Sequence, residues 1–251
     1  MSDQQPAVPR YQQIAEELRA AIASGEYPPG SRIPGENALM QLYGVARNTA
    51  RQALAVLKDA GLTEARKGSG VYVRVDRLIR RNAVKRLAAQ QWGGGKSIWE
   101  ADLSDQVPVA TDLAVEEVDV PKELAAVMEL SLESRVWRRS RTYEVDGRPV
   151  NRAVSYLPAE LVAGTAIVQP DTGPGGTYAR LAEIGHAPAH FREEVRVRMP
   201  LPEEARLLDL PAATPVILIV RVARDAEGRV VEVNHMTMDA TRYVLEYDFS
   251  S

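Results

Sequence analysis

The chain is 251 residues long, 45% hydrophobic, 26% charged and 6% aromatic, the make-up of a soluble protein able to bury a core. It contains no cysteine, which excludes disulfides, thiol catalysis and cysteine-ligated zinc. No apolar run nears the ~20 residues of a membrane helix, and Met1–Pro6 lacks the basic-then-apolar order of a secretory signal. A cytoplasmic protein with no membrane partner is expected. The net charge of −3 hides an imbalance: residues 1–100 carry 15 Lys and Arg against 9 Asp and Glu (+6), and residues 101–251 carry 16 against 25 (−9). A basic leading part suits contact with a polyanion.

Over Tyr11–Ala23, Ile14, Leu18, Ala21 and Ile22 recur at helical spacing, which predicts an amphipathic helix. Pro28-Pro29-Gly30 turns the chain, and Pro34-Gly35-Glu36-Asn37 opens a short second helix that Gly44 ends. A third helix is predicted from about Asn48 to Ala60, with Ala50, Ala53, Leu54 and Leu57 inward and Gly61 beyond its end. Leu62–Ala65 and Val71–Val73 read as strands around Arg66-Lys67-Gly68-Ser69-Gly70. Three helices with a tight glycine turn between the last two, followed by a basic hairpin, outline a winged helix-turn-helix. Its polar groups fall where DNA would meet them. Arg47, Asn48, Thr49 and Arg51 crowd the first turn of the third helix, the end that a recognition helix places in the major groove. Arg suits guanine and Asn suits adenine in bidentate pairs. Arg66 and Lys67 sit at the wing, where Gly68 and Gly70 permit close backbone approach.

The stretch Tyr11–Val73 resembles the DNA-binding domain of the GntR family of bacterial transcription regulators. The resemblance rests on Tyr11–Ile14, Gly25, Pro28–Gly30, Ile33–Glu36, Leu39, Gly44-Val45, Arg47–Thr49, Arg51, Ala53-Leu54, Leu57, Gly61-Leu62 and Gly68–Val73. It implies that Arg47, Asn48, Thr49 and Arg51 contact an operator and that the wing glycine enters the minor groove. Asn37 stands where the family often has an arginine; Arg32, just upstream, is the alternative source of a backbone contact.

Arg77, Arg80, Arg81, Lys85 and Arg86 form a basic run ahead of Gly93-Gly94-Gly95. Residues 76–104 are read as a linker between domains 1–75 and 105–251, either a solvated joint or one adding phosphate affinity. From Val107 the pattern shifts to strands with short helices, and it repeats at an offset of 81 residues. Pro121-Lys122-Glu123 falls on Pro202-Glu203-Glu204, Val136 on Ile217, and Asp146-Gly147-Arg148 on Glu227-Gly228-Arg229. Two strand–helix–strand–turn–strand units, about Val109–Tyr156 and Phe191–Met238, predict a pseudo-twofold antiparallel sheet with helices on one face. A helix is expected over Thr177–Ile184, and Gly173–Gly176 reads as a loop.

His186, His190 and His235 lack metal-ligand spacing. No nucleophile motif, P-loop or dinucleotide fingerprint occurs, so no catalytic residue, metal or cofactor is expected. Arg141, Asp146-Gly147, Pro149, Ser155–Pro158, Thr177-Tyr178, Leu181, Asp225, Gly228, Glu232 and Arg242-Tyr243 resemble the UTRA effector-binding domain, and with it the HutC subfamily. That resemblance implies a chorismate-lyase-like α+β fold that binds a small metabolite, with Arg141, Tyr143, Thr177, Glu232 and Tyr243 as candidate ligand contacts. Ala153, Tyr143 and Thr241 depart from the family's usual acidic, basic and acidic residues. The expectation is a homodimeric repressor, not an enzyme, that binds double-stranded operator DNA and is released by a small effector. Two alternatives remain at this point: a repressor whose second domain only dimerises, and a lyase-type enzyme fused to a DNA-binding module.

Overall fold

The computed structural model describes residues 8–66, 68–75, 78–89, 94, 98–99 and 108–248. The chain divides into two compact units, Met1–Arg77 with Pro211–Thr214, and Leu78–Leu210 with Pro215–Ser251.

In the first unit, α1 (Arg10–Ala23), α2 (Glu36–Tyr43) and α3 (Arg47–Asp59) precede a hairpin of β2 (Thr63–Arg66) and β3 (Gly70–Val73). The apolar stripe of α1 buries Ile14, Ala15 and Leu18 against Leu39 of α2 and Ala50, Ala53, Leu54 and Leu57 of α3. Cutting a fully enclosed leucine such as Leu57 back to alanine costs about 2–5 kcal/mol, because the cavity left behind does not close. Gly44 ends α2 with a φ of 61°, a left-handed conformation that makes the sharp turn into α3 possible. Sequence reasoning missed β1 (Arg32–Ile33), which pairs with β3 and completes a three-stranded sheet in the order β1-β3-β2.

In the second unit, six antiparallel strands form the sheet β5-β6-β7-β10-β9-β8. They are β5 (Val109–Asp119), β6 (Arg135–Val145), β7 (Arg148–Pro158), β8 (His190–Arg198), β9 (Val216–Arg224) and β10 (Val230–Asp239). The repeat is visible in these bounds: β8 starts 81 residues after β5 (190 − 109) and β9 starts 81 after β6 (216 − 135). The two halves, β5-β6-β7 and β8-β9-β10, meet at the β7–β10 pairing, where Val233 faces Tyr156 and Met238 faces Asn151. Each half carries its helix after its first strand, α5 (Lys122–Met128) and α8 (Pro202–Leu207). The first hairpin closes on Asp146 and Gly147, with φ of 54° and 70°, the paired positive values of a type I′ turn.

Helices lie on both faces of this sheet, not on one as the repeat suggested. One core holds Tyr143, Ala153, Leu157, Ile219, Met236 and Met238 beneath α6 (Ala159–Val162) and α7 (Gly176–Glu183). A second core on the opposite face packs Leu124, Ala125 and Met128 of α5 against Val136, Val230 and Val233. Residues alternate in direction along a strand, so one apolar β-run can serve both cores.

Part of the segment read as a linker belongs to this second unit. β4 (Ile79–Asn82) pairs in parallel with β11 (Tyr243–Glu246), and α4 (Ala83–Leu87) follows, capped by the Asn82 side chain accepting from the Lys85 amide at 2.9 Å. Arg81 and Arg86 are buried, so these two are not solvent-facing phosphate contacts. Arg80, Arg81, Lys85 and Arg86 have partners within the chain, Glu246, Glu193, Asp248 and the Ile98 carbonyl, and Arg77 lies outside the described residues. The Gly93–Gly95 joint, apart from Gly94, lies outside the described residues.

Candidate functional site

Two places gather the predicted residues. The first is the amino-terminal turn of α3. Ala46 precedes the helix in extended conformation and no side chain caps it, which leaves its first amides directed at whatever approaches. Arg47, Asn48 and Arg51 are exposed there and Thr49 is half-buried. Their polar groups are oriented by weak mutual contacts. Arg51 donates to Asn48 Oδ1 at 3.0 Å, and Arg47 donates to Asn37 Oδ1 at 3.4 Å and lies 4.0 Å from Glu36 Oε2. Exposed pairs of this kind contribute little to folding, so the guanidinium groups can exchange them for an external anion. Asn37 thus lies beside Arg47, in a surface depression of about 480 Å3 that Arg32 also lines.

At the wing, Gly70 adopts φ +122°, and a Cβ built there would come 2.8 Å from Arg32 Nε. The missing side chain is what lets Arg32 lie across the hairpin. Arg66 is tied within the hairpin, donating to Glu64 Oε1 at 3.0 Å with its guanidinium 4.3 Å from the centre of the Tyr72 ring. Gly68, with φ +73°, forms the tip. Lys67 lies outside the described residues. The arrangement is a short hairpin beside a basic, uncapped helix start, a shape and charge suited to phosphate and base edges.

The second place is a cavity of about 230 Å3 in the second unit. Arg141 and Tyr143 reach it from β6, Glu232 from β10, and Gly175, Gly176 and Thr177 from the start of α7. Arg141 has its guanidinium carbon 5.6 Å from the Tyr143 ring centre, and its Nε makes no hydrogen bond. Gly175 and Gly176, with φ of 79° and 67°, present backbone at the amino end of an eight-residue helix, where partial positive charge favours an anion. These two glycines were read only as loop; they form a wall of the cavity. Glu232 is buried and accepts from the Tyr178 hydroxyl at 2.7 Å. Burial, together with the neighbouring Glu232 carboxylate, pushes the Tyr178 phenol well above its ordinary range, so it stays a donor at neutral pH.

Trp99 and Arg139 of this site were not singled out from the sequence, and Tyr178 was named only among the residues of the resemblance. Trp99 stacks on Tyr143 at 4.2 Å between ring centres, with the Arg86 guanidinium 4.6 Å from the Trp99 ring. Tyr178 is the donor to Glu232. Arg139 also lines the cavity, but its donors go to the carbonyls of Ile167, Gln169 and Pro170. Burial first, and then the Arg141 charge, lowers the Arg139 pKa to about 10, so it remains cationic at neutrality while holding that loop. The alternation along β6, Arg139-x-Arg141-x-Tyr143, was the available signal for Arg139. Tyr243 is the correction. It lies in β11, packed into the core that Tyr143 and Tyr178 share, and does not line the cavity.

Behind the cavity, Arg81 of β4 forms a two-pronged pair with Glu193 of β8, one arm at 2.9 Å. Arg221 lies 3.8 Å from Glu193 and 3.7 Å from Glu232. Burial raises the Glu193 pKa, but the Arg81 hydrogen bonds and charge, with Arg221 behind them, hold it below its ordinary value. His186 Nδ1 lies 2.8 Å from Asp225 Oδ2, and Asp225 Oδ1 accepts from the Arg229 amide at 2.8 Å; this histidine braces the second hairpin. Among the described residues no group of His, Asp and Glu is arranged to hold a metal ion.

Comparison with known proteins finds a family match for each unit. The UTRA domain model matches residues 104–244, and the model for bacterial regulatory proteins of the gntR family matches residues 10–73. The chain belongs to the GntR family. An HTH-type transcriptional regulator of Rhizobium meliloti is 32% identical over 98% of this chain and 97% of its own. MngR of Escherichia coli, the mannosyl-D-glycerate transport/metabolism system repressor, is 27% identical over 94% and 93%. A crystal structure of a GntR-family transcriptional regulator superposes with a TM-score of 0.61 at 26% identity, covering 97% of this chain and 98% of that one. This GntR protein is therefore a transcriptional regulator that joins a DNA-binding winged helix to a UTRA effector domain. No helix among the described residues is long and apolar enough to cross a membrane.

Proposed function

We propose that the protein is a homodimeric repressor of the HutC subfamily, not an enzyme. It binds a palindromic operator and leaves it when a small anionic effector fills the UTRA cavity. In this reading Arg47, Asn48, Thr49 and Arg51 enter the major groove, with Arg32, Asn37, Arg66, Lys67, Gly68 and Gly70 positioning the duplex. Arg141, with the amides at the start of α7, takes the effector's carboxylate or phosphate. Glu232 accepts from a hydroxyl or ammonium, and the Trp99–Tyr143 stack covers the effector's flatter part.

The observation carrying this is Arg141, a cation facing a cavity with its Nε unbonded, opposite the positive end of a helix. A half-buried guanidinium with a free Nε, beside backbone amides at a helix start, suits an anionic group entering the cavity. The cavity also favours effector control over a second domain that serves only for dimerisation. To regulate, the effector must prefer one disposition of the two DNA-reading heads, since equal binding to both would shift nothing.

The test is the melting temperature of the full chain against sugar phosphates, carboxylates and amino acids, followed by operator binding with any compound that stabilises it. A saturable shift confined to anions, with weakened DNA binding, supports the reading. No shift across the panel, with DNA binding intact, supports the effector-free alternative.

A further inference from the structure

Among the described residues of the first unit, Arg10, Arg19, Arg47, Arg51, Arg66 and Arg74 each have a polar partner within the chain. Arg32 makes no hydrogen bond or ion pair with any described residue, and it is exposed. The small sheet sets its position. β1 pairs with β3 so that Arg32 stands opposite Tyr72, and β2 pairs on the other side with Arg66 opposite Gly70. Directly opposed residues share a face, and so do residues two apart along a strand. Arg32, Gly70, Tyr72 and Arg66 therefore lie on one face, while Ile33, Thr63 and Val73 are buried on the other. Two arginines stand astride β3 with Gly70 between them. A Cβ on Gly70 would come 2.8 Å from Nε, 3.2 Å from Nη2 and 3.3 Å from Cζ of Arg32. The guanidinium thus occupies the space that a side chain would take. From that seat Arg32 also lines the surface depression beside Asn37 and Arg47.

We infer that Arg32 takes a DNA phosphate between the wing and the start of α3, and that position 70 is glycine in order to seat it. This rests on the reading that the first unit meets a duplex through α3. Arg32 then joins the two contact regions into one basic track, which runs over the outward face of the wing sheet and not only its tip. A guanidinium with no internal partner exchanges nothing for the phosphate, whereas Arg47 and Arg66 must first leave Glu36 and Glu64. Gly70 acts through Arg32, as a positioning residue. A glycine that only let the backbone approach a groove would act whether or not Arg32 were present, and that difference is measurable.

The test is the affinity of the full chain for a short random-sequence duplex, followed against salt concentration. Each phosphate contact contributes about 0.9 to the slope of log affinity on log salt. Arg32→Ala is expected to make that slope shallower by about 1 and to weaken binding about tenfold near 0.1 M salt. Arg32→Lys should keep the slope, and so should Arg19→Ala, which removes an exposed charge from α1. Gly70→Ala should repeat the Arg32→Ala loss in the wild type and add nothing to it in the double variant. An unchanged slope for Arg32→Ala, or an equal change for Arg19→Ala, overturns the phosphate contact. A further loss when Gly70→Ala is added to Arg32→Ala overturns the seating role. Any side chain is strained at φ +122°, so melting temperatures accompany each variant; should Gly70→Ala not fold, the Arg32 variants still decide the contact. A wild type that binds no duplex overturns the reading beneath the proposal, a result distinct from either failure.

Discussion

The two units treat their polar residues in opposite ways. In the first, the arginines that would meet DNA are exposed and make only surface contacts, such as Arg47 to Asn37 at 3.4 Å. The core beneath them is built of apolar side chains and holds no buried charged residue among those described. In the second, Arg81, Arg139, Arg221 and Glu232 are buried within the fold that shapes the cavity. A DNA-reading head needs charge held ready at the surface by a scaffold that does not depend on it. A ligand cavity needs charge with water removed, and the same groups then become part of what holds the domain together. Function and stability should therefore separate in the first unit and be entangled in the second.

The largest expected effect is on the buried pair. Arg81→Ala would strand Glu193 without its two-pronged partner and destabilise the second unit by about 3–5 kcal/mol, read from chemical unfolding. An effect below about 1 kcal/mol would mean that the pair is not the brace described.

Next comes the first unit. Arg51→Ala should weaken specific operator binding by about 10–100-fold, the worth of one bidentate base contact, with the melting temperature unmoved. A matching loss of stability would erase the contrast between the units. Arg141→Ala should weaken effector binding to a comparable degree, since a charge-assisted hydrogen bond contributes roughly 1.5–3 kcal/mol. This would be read as loss of the ligand-induced melting shift, with operator binding retained but no longer released.

The smallest effect is in pH. Glu193 has a folded-state pKa below its ordinary 4.5, so the folded state resists a proton that the unfolded chain accepts. The stability it contributes is complete above pH 4.5 and is lost as pH falls from there through the folded value. Glu193→Gln should flatten that acid limb and leave the slope at neutral pH unchanged, as measured by denaturant unfolding across the acid range.

Local signals carried well in this sequence. The stripe of Ile14 and Leu18, the left-handed Gly44 and the Asp146-Gly147 turn each act within a few residues, and the elements stand where those signals place them. The 81-residue repeat was readable because both halves solve the same packing problem. What failed was anything decided by a distant partner. Arg81 meets Glu193 across 112 residues, and an arginine among arginines reads as solvated unless that partner is seen. Arg86 and Trp99 were missed for the same reason. Tyr243 does not line the cavity, and its position depends on β11 pairing with β4, a parallel contact between the two ends of the second unit. Of the cavity, Arg141, Tyr143, Thr177 and Glu232 were named in advance through the family resemblance, not through spacing.

The most direct measurement is selection of bound duplexes from a randomised pool by the full-length chain, at one stated salt concentration because phosphate contacts make affinity salt-dependent. Two symmetric heads predict enrichment of a palindrome with half-sites about one helical turn apart, lost in the Arg47→Ala, Arg51→Ala double variant although it remains folded. Enrichment of no sequence, or the same enrichment with the double variant, would contradict the reading that α3 is the DNA-reading element.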